Sequence, residues 1–366
     1  MAAPDLASSL SSLSNRLADL GRRDEALMAI EEAVDVRRGL AARDSAAFAP
    51  DLASSLNNLS VALAGVGRRD EAMAAIQEAL VTYRDLAETR PELVVDLAAA
   101  LNNLFAALSG QGRSEEAVAV IEEAVSIRRE LAAQSPDAHA SGLAQSLGNL
   151  GAAYAETGRL DDALATYAQS LESKRGVGDR HGEAQTLANM GIVHARRGRL
   201  DYALSAYEES LSLRRELGDL AGEAQTLANI ADVLQQRGET DEALRIHLEE
   251  RLPVALRADD VEQIANIRFS CAQIRISRGG LDHGEGKVIL DELAESFAIN
   301  QRLRRVDGVA VVGAHLGQVL AVAGAPKEAR AVLAESALAF DRLGLDEQAT
   351  QVRSLAARTA GERFDG

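Results

Sequence analysis

The chain has 366 residues, 47% of them hydrophobic, and its 39 basic against 56 acidic side chains leave a net charge of −17. That charge repels nucleic-acid phosphates and anionic membrane surfaces, and with aromatics at 3% and no tryptophan the core must be built from Leu, Ala, Val and Ile, a helix-favouring set that argues against an all-β fold. A single cysteine, Cys271, excludes an internal disulfide, the polar start MAAPDLASSL lacks a secretory pattern, and no apolar run approaches the roughly 18 residues of a membrane span, so a cytoplasmic setting without membrane insertion is expected.

From the N-terminus, the octapeptide APDLASSL at 3–10 returns at 49–56, and GRRDEA at Gly21 returns at Gly67. Anchored on that glycine, a repeat runs through Gly21, Gly67, Gly112, Gly158, Gly198, Gly238, Gly279 and Gly324, at spacings of 46, 45, 46, 40, 40, 41 and 45 residues. Each unit is predicted to be two helices around a tight turn. In the second unit Leu56, Leu59 and Leu63 recur at helical spacing before Gly67, and Ala72, Ile76 and Ala79 do so after it. The glycine supplies the positive φ that ends the first helix, and Asp24, Asp70, Asp161 and Asp241 suit the first turn of the second. Small Ala26, Ala72, Ala117, Ala163, Ala203, Ala243 and Ala329 recur at one position and let the paired helices approach closely.

Three units spaced by 45–46 residues occupy 1–137, three spaced by 40 occupy 138–260, and two more divergent ones occupy 261–345. A capping helix and tail complete the chain over 346–366, with Ala349, Val352, Leu355 and Ala356 as the apolar stripe. The seventh unit departs most from the others. Gly284 stands where the packing alanine belongs, and Arg268 and Arg275 fall on core positions unless the register slips by one to Ile267 and Ile274.

The fourth unit places Leu147, Leu150, Gly151, Tyr154, Gly158, Ala163 and Tyr167, and the fifth Leu187, Met190, Gly191, Gly198, Ala203, Tyr207 and Ser210, in a shared order of large apolar, small and glycine positions. This pattern, repeated over roughly residues 5–345, resembles the tetratricopeptide repeat. The units exceed that family's usual length and are similar to its long-repeat, kinesin-light-chain-like subtype. The proline that closes the family motif is largely missing, with Pro50, Pro91 and Pro136 in the connections between early units. The resemblance implies an all-α, right-handed superhelical solenoid of eight helix-turn-helix units plus the C-terminal capping helix, with the first helices lining the concave face.

On those first helices one rung stands out. Directly before the Leu, Met or Ile of each first helix come Ser12, Asn58, Asn103, Asn149, Asn189, Asn229, Ser270 if the register holds, and His315. Asparagine is a mediocre helix former, and its amide matches the N–H and C=O of an extended peptide. Four residues earlier, on the same helical face, stand Ser8, Ser54, Gln145, Gln185, Gln225 and Asn266. The resemblance implies peptide contact at the inner-helix asparagines. The alternative is that these amides bond neighbouring helices and fix the stacking.

Signatures of catalysis are missing. GGLDHGEGK near Lys287 fails as a phosphate loop, because Leu281 replaces its first glycine and Val288 its magnesium-binding hydroxyl. His139, His181, His194, His247, His283 and His315 form no metal-ligand spacing, His194 and His247 fall on core positions, and Cys271 has no base partner and reads as a buried thiol. The expectation is a non-enzymatic scaffold with no cofactor or metal, binding a partner peptide or helix through the asparagine ladder. An alternative is a sensor or regulatory module controlling a separate effector, with self-association through a first helix presenting Leu6, Leu10, Leu13 and Leu17.

Overall fold

A computed structural model describes residues 3–361, with side chains to 359; positions 362–366 of the expected tail lie outside the described residues. The chain forms two compact units, Met1–Arg197 and Gly198–Gly366. The first holds α1 (Ala3–Asp19), α2 (Arg23–Ala41), α3 (Ser45–Gly65), α4 (Arg69–Ala87), α5 (Val94–Gly110), α6 (Ser114–Gln134), α7 (Pro136–Glu156), α8 (Leu160–Val177) and α9 (Arg180–Arg196). The second holds α10 (Leu200–Leu217), α11 (Leu220–Gln236), α12 (Thr240–Arg245) running through a π turn (Ile246–Arg251) into α13 (Leu252–Arg257), α14 (Val261–Ser277), α15 (Gly286–Arg302), α16 (Val306–Val322), α17 (Pro326–Arg342) and α18 (Asp346–Gly361). Within each unit consecutive helices pack in sequence, and no strand occurs among the described residues.

All eight anchor glycines adopt the left-handed conformation, with φ between 70° and 82°. The amide of the residue after the glycine closes the turn onto a carbonyl five residues back, as Arg68 N–H does on Leu63 O at 2.9 Å and Glu239 N–H on Leu234 O at 2.8 Å. The recurring alanines from Ala26 to Ala329 are all buried, and beside them lie Ile30, Ile76, Ile121, Tyr167, Tyr207, His247 and Leu333, one per second helix. Each fully buried aliphatic chain of this set contributes about 1.5–3 kcal/mol. At two repeats the first helix drops to glycine opposite this side chain: a Cβ at Gly151 would stand 2.6 Å from the Tyr167 ring, and one at Gly317 would overlap Leu333.

Neighbouring repeats are joined by polar ties. Two adjacent basic residues stand late in several second helices, such as Arg37–Arg38, Lys174–Arg175 and Arg214–Arg215, and the first turns inward: Arg37 bonds Ser55 and the Asp51 carbonyl, and Lys174 donates to Thr186 Oγ1 at 2.9 Å. Arg128, Arg214 and Asn300 fill the space that Gly142, Gly222 and Gly308 leave open. The second member reaches an acid of the next repeat, Arg38 the exposed Glu78 at 2.6 Å, Arg175 the buried Glu183 at 2.7 Å and Arg215 the buried Glu223 at 2.8 Å.

The proline and seventh-repeat expectations need correction. Pro50 lies inside α3, not in a connection; the Ala46 carbonyl that it deprives of an N–H partner accepts instead from Arg90 Nη2 at 2.6 Å. Pro91 opens a short 3-10 turn, and Pro136 sits at the start of α7, where it costs no hydrogen bond. In the seventh repeat Gly279 keeps its positive φ, Ile267 and Ile274 are buried where Arg268 and Arg275 were counted, and Arg275 is half-buried, held by Glu285 at 3.2 Å and Glu292 at 3.3 Å. Gly284 belongs to the turn, with φ of 87°, and buried Ile289 takes the packing position on α15.

The 41-residue spacing has a local cause. The second-helix turn comes 40 residues after Gly178 at Gly218 but 41 later at Asp259, and the additional residue is absorbed by the π turn. Within that turn His247 lies in the core at 1% exposure with neither ring nitrogen hydrogen-bonded, and burial together with the nearby Arg251 guanidinium pushes the imidazole down to about 4. Cys271 is also buried, and its thiol is pushed up to about 12. The apolar stretch Pro91–Gly110 has the length and hydropathy of a membrane span, yet it carries Asp96, Asn102 and Asn103 and contributes Leu97, Leu101, Phe105 and Leu108 to the core.

Two outcomes follow from this packing. Gly317→Ala should destabilise the chain by about 1–3 kcal/mol through the clash with Leu333, whereas Gly39→Ala, where an added Cβ meets nothing within 4 Å, should stabilise it by about 0.5–1 kcal/mol; melting temperatures of opposite sign check the pair. Unfolded His247 takes a proton near pH 6.5 and folded His247 only near 4, so its contribution is intact above the upper value and declines as pH falls between them. In denaturant titrations at pH 7 and 4.5, His247→Leu should lose roughly 2–3 kcal/mol less than the wild type.

Candidate peptide-binding surface

In the first unit the expected rung comes from α1, α3, α5, α7 and α9. Asn58, Asn103, Asn149 and Asn189 are half-buried, as is Ser54, while Ser12, Gln145 and Gln185 are exposed. Asn103 Nδ2 donates to Asn57 Oδ1 at 2.8 Å and Asn149 Nδ2 to Asn102 Oδ1 at 3.0 Å. Asn102 in turn donates to the Ala98 carbonyl at 2.8 Å and to Ser146 Oγ at 2.9 Å. The rung is therefore double at α3 and α5, with Asn57 and Asn102 bonding across repeats. The doublets Asn57–Asn58 and Asn102–Asn103 were the sequence signal for these partners.

These bonds use only part of each amide. Among the described residues no donor reaches Oδ1 of Asn103 or Asn149, and Asn58 has no side-chain hydrogen bond at all. Asn189 is anchored differently, accepting from Gln185 Nε2 at 3.0 Å and bonding Tyr167, whose buried phenol is pushed up to about 12. One helical turn past each asparagine lies a small or aliphatic residue, Val61, Ala106, Ala152 or Ile192, and Val61 and Ile192 are exposed. Amides set beside such residues can hydrogen-bond an extended main chain and cover its apolar side chains. Ser12 bonds the Ser8 carbonyl at 3.0 Å, and Ser54 bonds Tyr83.

In the second unit Gln225 Nε2 donates to Asn229 Oδ1 at 3.2 Å, repeating the Gln185–Asn189 pair. Ser270 is half-buried, and Asn266 is exposed. His315 does not extend the row as an amide would: its Nδ1 pairs with the Val311 carbonyl at 3.0 Å, and its ring stands edge-on to Phe269 at 5.1 Å.

Elsewhere acidic side chains of the second helices tie neighbouring repeats: Glu31 to Arg68 at 3.0 Å, Glu123 to Arg84 at 2.8 Å, and Glu122 to the Tyr154 hydroxyl at 2.7 Å. Of the first-helix leucines, Leu17 is buried and Leu6 and Leu10 half-buried, which leaves Leu13 facing solvent. His194 is half-buried, and among the described residues no group of three His, Cys, Asp or Glu side chains is placed to hold a metal ion.

Tetratricopeptide repeat models match residues 6–46 and 52–89, and again 96–175, 142–216 and 182–251, together more than half of the chain. No curated protein sequence matches. Among solved structures, BtubC (BKLC) from P. vanneervenii is 20% identical, with a TM-score of 0.54, 65% of this chain and 92% of that one covered. The apo form of RapI is 14% identical, with a TM-score of 0.55 and coverage of 84% and 97%. Aspartyl phosphate phosphatase F from Bacillus subtilis is 11% identical, with a TM-score of 0.55 and coverage of 91% and 76%. At these identities the likeness is one of fold.

Proposed function

The chain belongs to the tetratricopeptide repeat family, and on that premise we propose that it is a non-catalytic scaffold that holds an extended segment of a partner protein against the first helices of its N-terminal unit. The observation that carries this reading is the half-used amide row. Asn103 and Asn149 are held in place by Asn57 and Asn102, yet among the described residues their Oδ1 atoms have no donor and Asn58 has no side-chain hydrogen bond. A polypeptide backbone supplies both a donor and an acceptor at every residue, so it satisfies such a row with little demand on side-chain sequence. Specificity would then come from what packs beside Val61, Ala106, Ala152 and Ile192.

The test is affinity capture from native lysate with the wild type and with the triple variant Asn103→Ala, Asn149→Ala, Asn189→Ala, read by mass spectrometry alongside circular dichroism. With each amide contact contributing about 1 kcal/mol, the variant should keep its helicity and bind the captured protein roughly a hundredfold more weakly. Equal capture by both chains would assign the row to stacking alone.

A further inference from the structure

From α8 onward the second helices end in one recurrent turn. Gly178, Gly218 and Gly344, just past α8, α10 and α17, have φ of 72°, 68° and 70°. In each turn the next amide bonds a carbonyl five residues back, Asp179 to Lys174 and Asp219 to Arg214 at 2.9 Å, and Leu345 to Phe340 at 3.0 Å. Past α13 and α15 the same turn is made by Asp259 and Arg304, at φ 51° and 55°, with Asp260 N–H donating to Ala255 O at 3.0 Å and Arg305 N–H to Asn300 O at 2.9 Å. A Cβ is strained in this region and glycine is not, so the chain holds a guanidinium here against a backbone preference.

Arg304 lines a cavity of about 350 Å³ formed by the end of α15, the start of α16 and one face of α17. Its wall is apolar at Val306, Val309 and Leu338, the last 59% exposed, and Arg342 is its other unengaged cation. Among the described residues neither Arg304 nor Arg342 has a side-chain hydrogen bond or an ion pair, although acidic side chains outnumber basic ones in this chain. The cavity's own carboxylate is already engaged: Gln301 Nε2 donates to both oxygens of Glu335 at 2.8 Å. Arg305 is likewise taken by Asp307 and Glu262. Both guanidiniums stand at helix C-termini, Arg342 at the last residue of α17 and Arg304 just past the cap of α15, and neither is taken up by a side chain of the cavity.

We propose that this cavity is a docking site for an acidic, aliphatic segment of a partner protein, whose Asp or Glu carboxylate is taken by Arg304 and Arg342 while a neighbouring Leu, Ile or Val packs on Val306, Val309 and Leu338. The site shares no residue with the amide row and stands independently of it.

The experiment is fluorescence anisotropy of the full chain with a fluorescein-labelled peptide repeating Leu-Glu-Leu, and with its Leu-Gln-Leu counterpart. The acidic peptide should bind, more weakly as salt is added, and its glutamine counterpart, the Arg304→Gly chain and the Arg342→Ala chain should each weaken binding about tenfold or more. Arg304→Gly relieves the turn, so that variant should melt about 1–3 °C higher while losing the peptide. The triple asparagine variant should bind the acidic peptide like the wild type, which separates this site from the amide row. Absence of binding by the wild type, equal binding of the glutamine peptide, unchanged binding by Arg304→Gly, a lower melting temperature for that variant, or loss of the peptide in the asparagine variant would each overturn the proposal.

Discussion

Everything in this chain depends on how closely two helices of one repeat can approach. A helix pair with one apolar stripe on each member buries little of it alone, and the stripe reaches the next pair only when the first two lie almost in backbone contact. The alanines from Ala26 to Ala329 are buried for that reason, and Gly151 and Gly317 appear opposite Tyr167 and Leu333, where even a methyl group is too much. The turn glycines serve the same end. By ending the first helix in one residue of positive φ they return the chain onto the same face, without a loop to hold the pair apart.

Between repeats the ties are polar. A solenoid joined by apolar contact alone could slide by a turn, because one Leu or Ile surface resembles the next. A buried Arg37 against Ser55, or Arg214 lodged in the space of Gly222, fits in one register only. Such groups give little net stability once desolvation is counted, and they act mainly by penalising the wrong alignment. The asparagine doublets at α3 and α5 do the same between first helices, through Asn103 on Asn57 and Asn149 on Asn102.

Much of this was legible in the sequence because a few positions obey steric rules that admit almost no substitute. Glycine at positive φ and alanine at a close approach recur at countable intervals, so helix order, the eight turns and the start of the last helix at Asp346 could be read without coordinates. The asparagine rung was legible too, but its bonding was not, since Asn102 and Asn103 are neighbours in sequence and only the packed helices decide which one faces the next repeat. Gly284 was misplaced because counting from Gly279 assumes a turn of constant length, whereas additional turn residues move the packing position to Ile289. Pro50 was misplaced because a proline reads as a helix boundary, and the Arg90 side chain that rescues its orphaned carbonyl lies 44 residues from Ala46.

The π turn shows which of these constraints outranks the others. An inserted residue between Gly238 and Asp259 could have lengthened a connection, shifted the turn, or rotated the second half of the helix by about 100° away from its partner. The turns at Gly238 and Asp259 keep their positive φ, and Val254 and Ala255 remain buried beyond the insertion. The helix gives way instead, widening for one turn over Ile246–Arg251. Regular α-helical hydrogen bonding is therefore the cheaper quantity to sacrifice, because a π turn distorts a few backbone bonds, while a rotated helix would withdraw a whole apolar stripe from two neighbours. His247, inside this turn with two unpaired nitrogens, stands at a position where other repeats place Ile, Leu or Tyr.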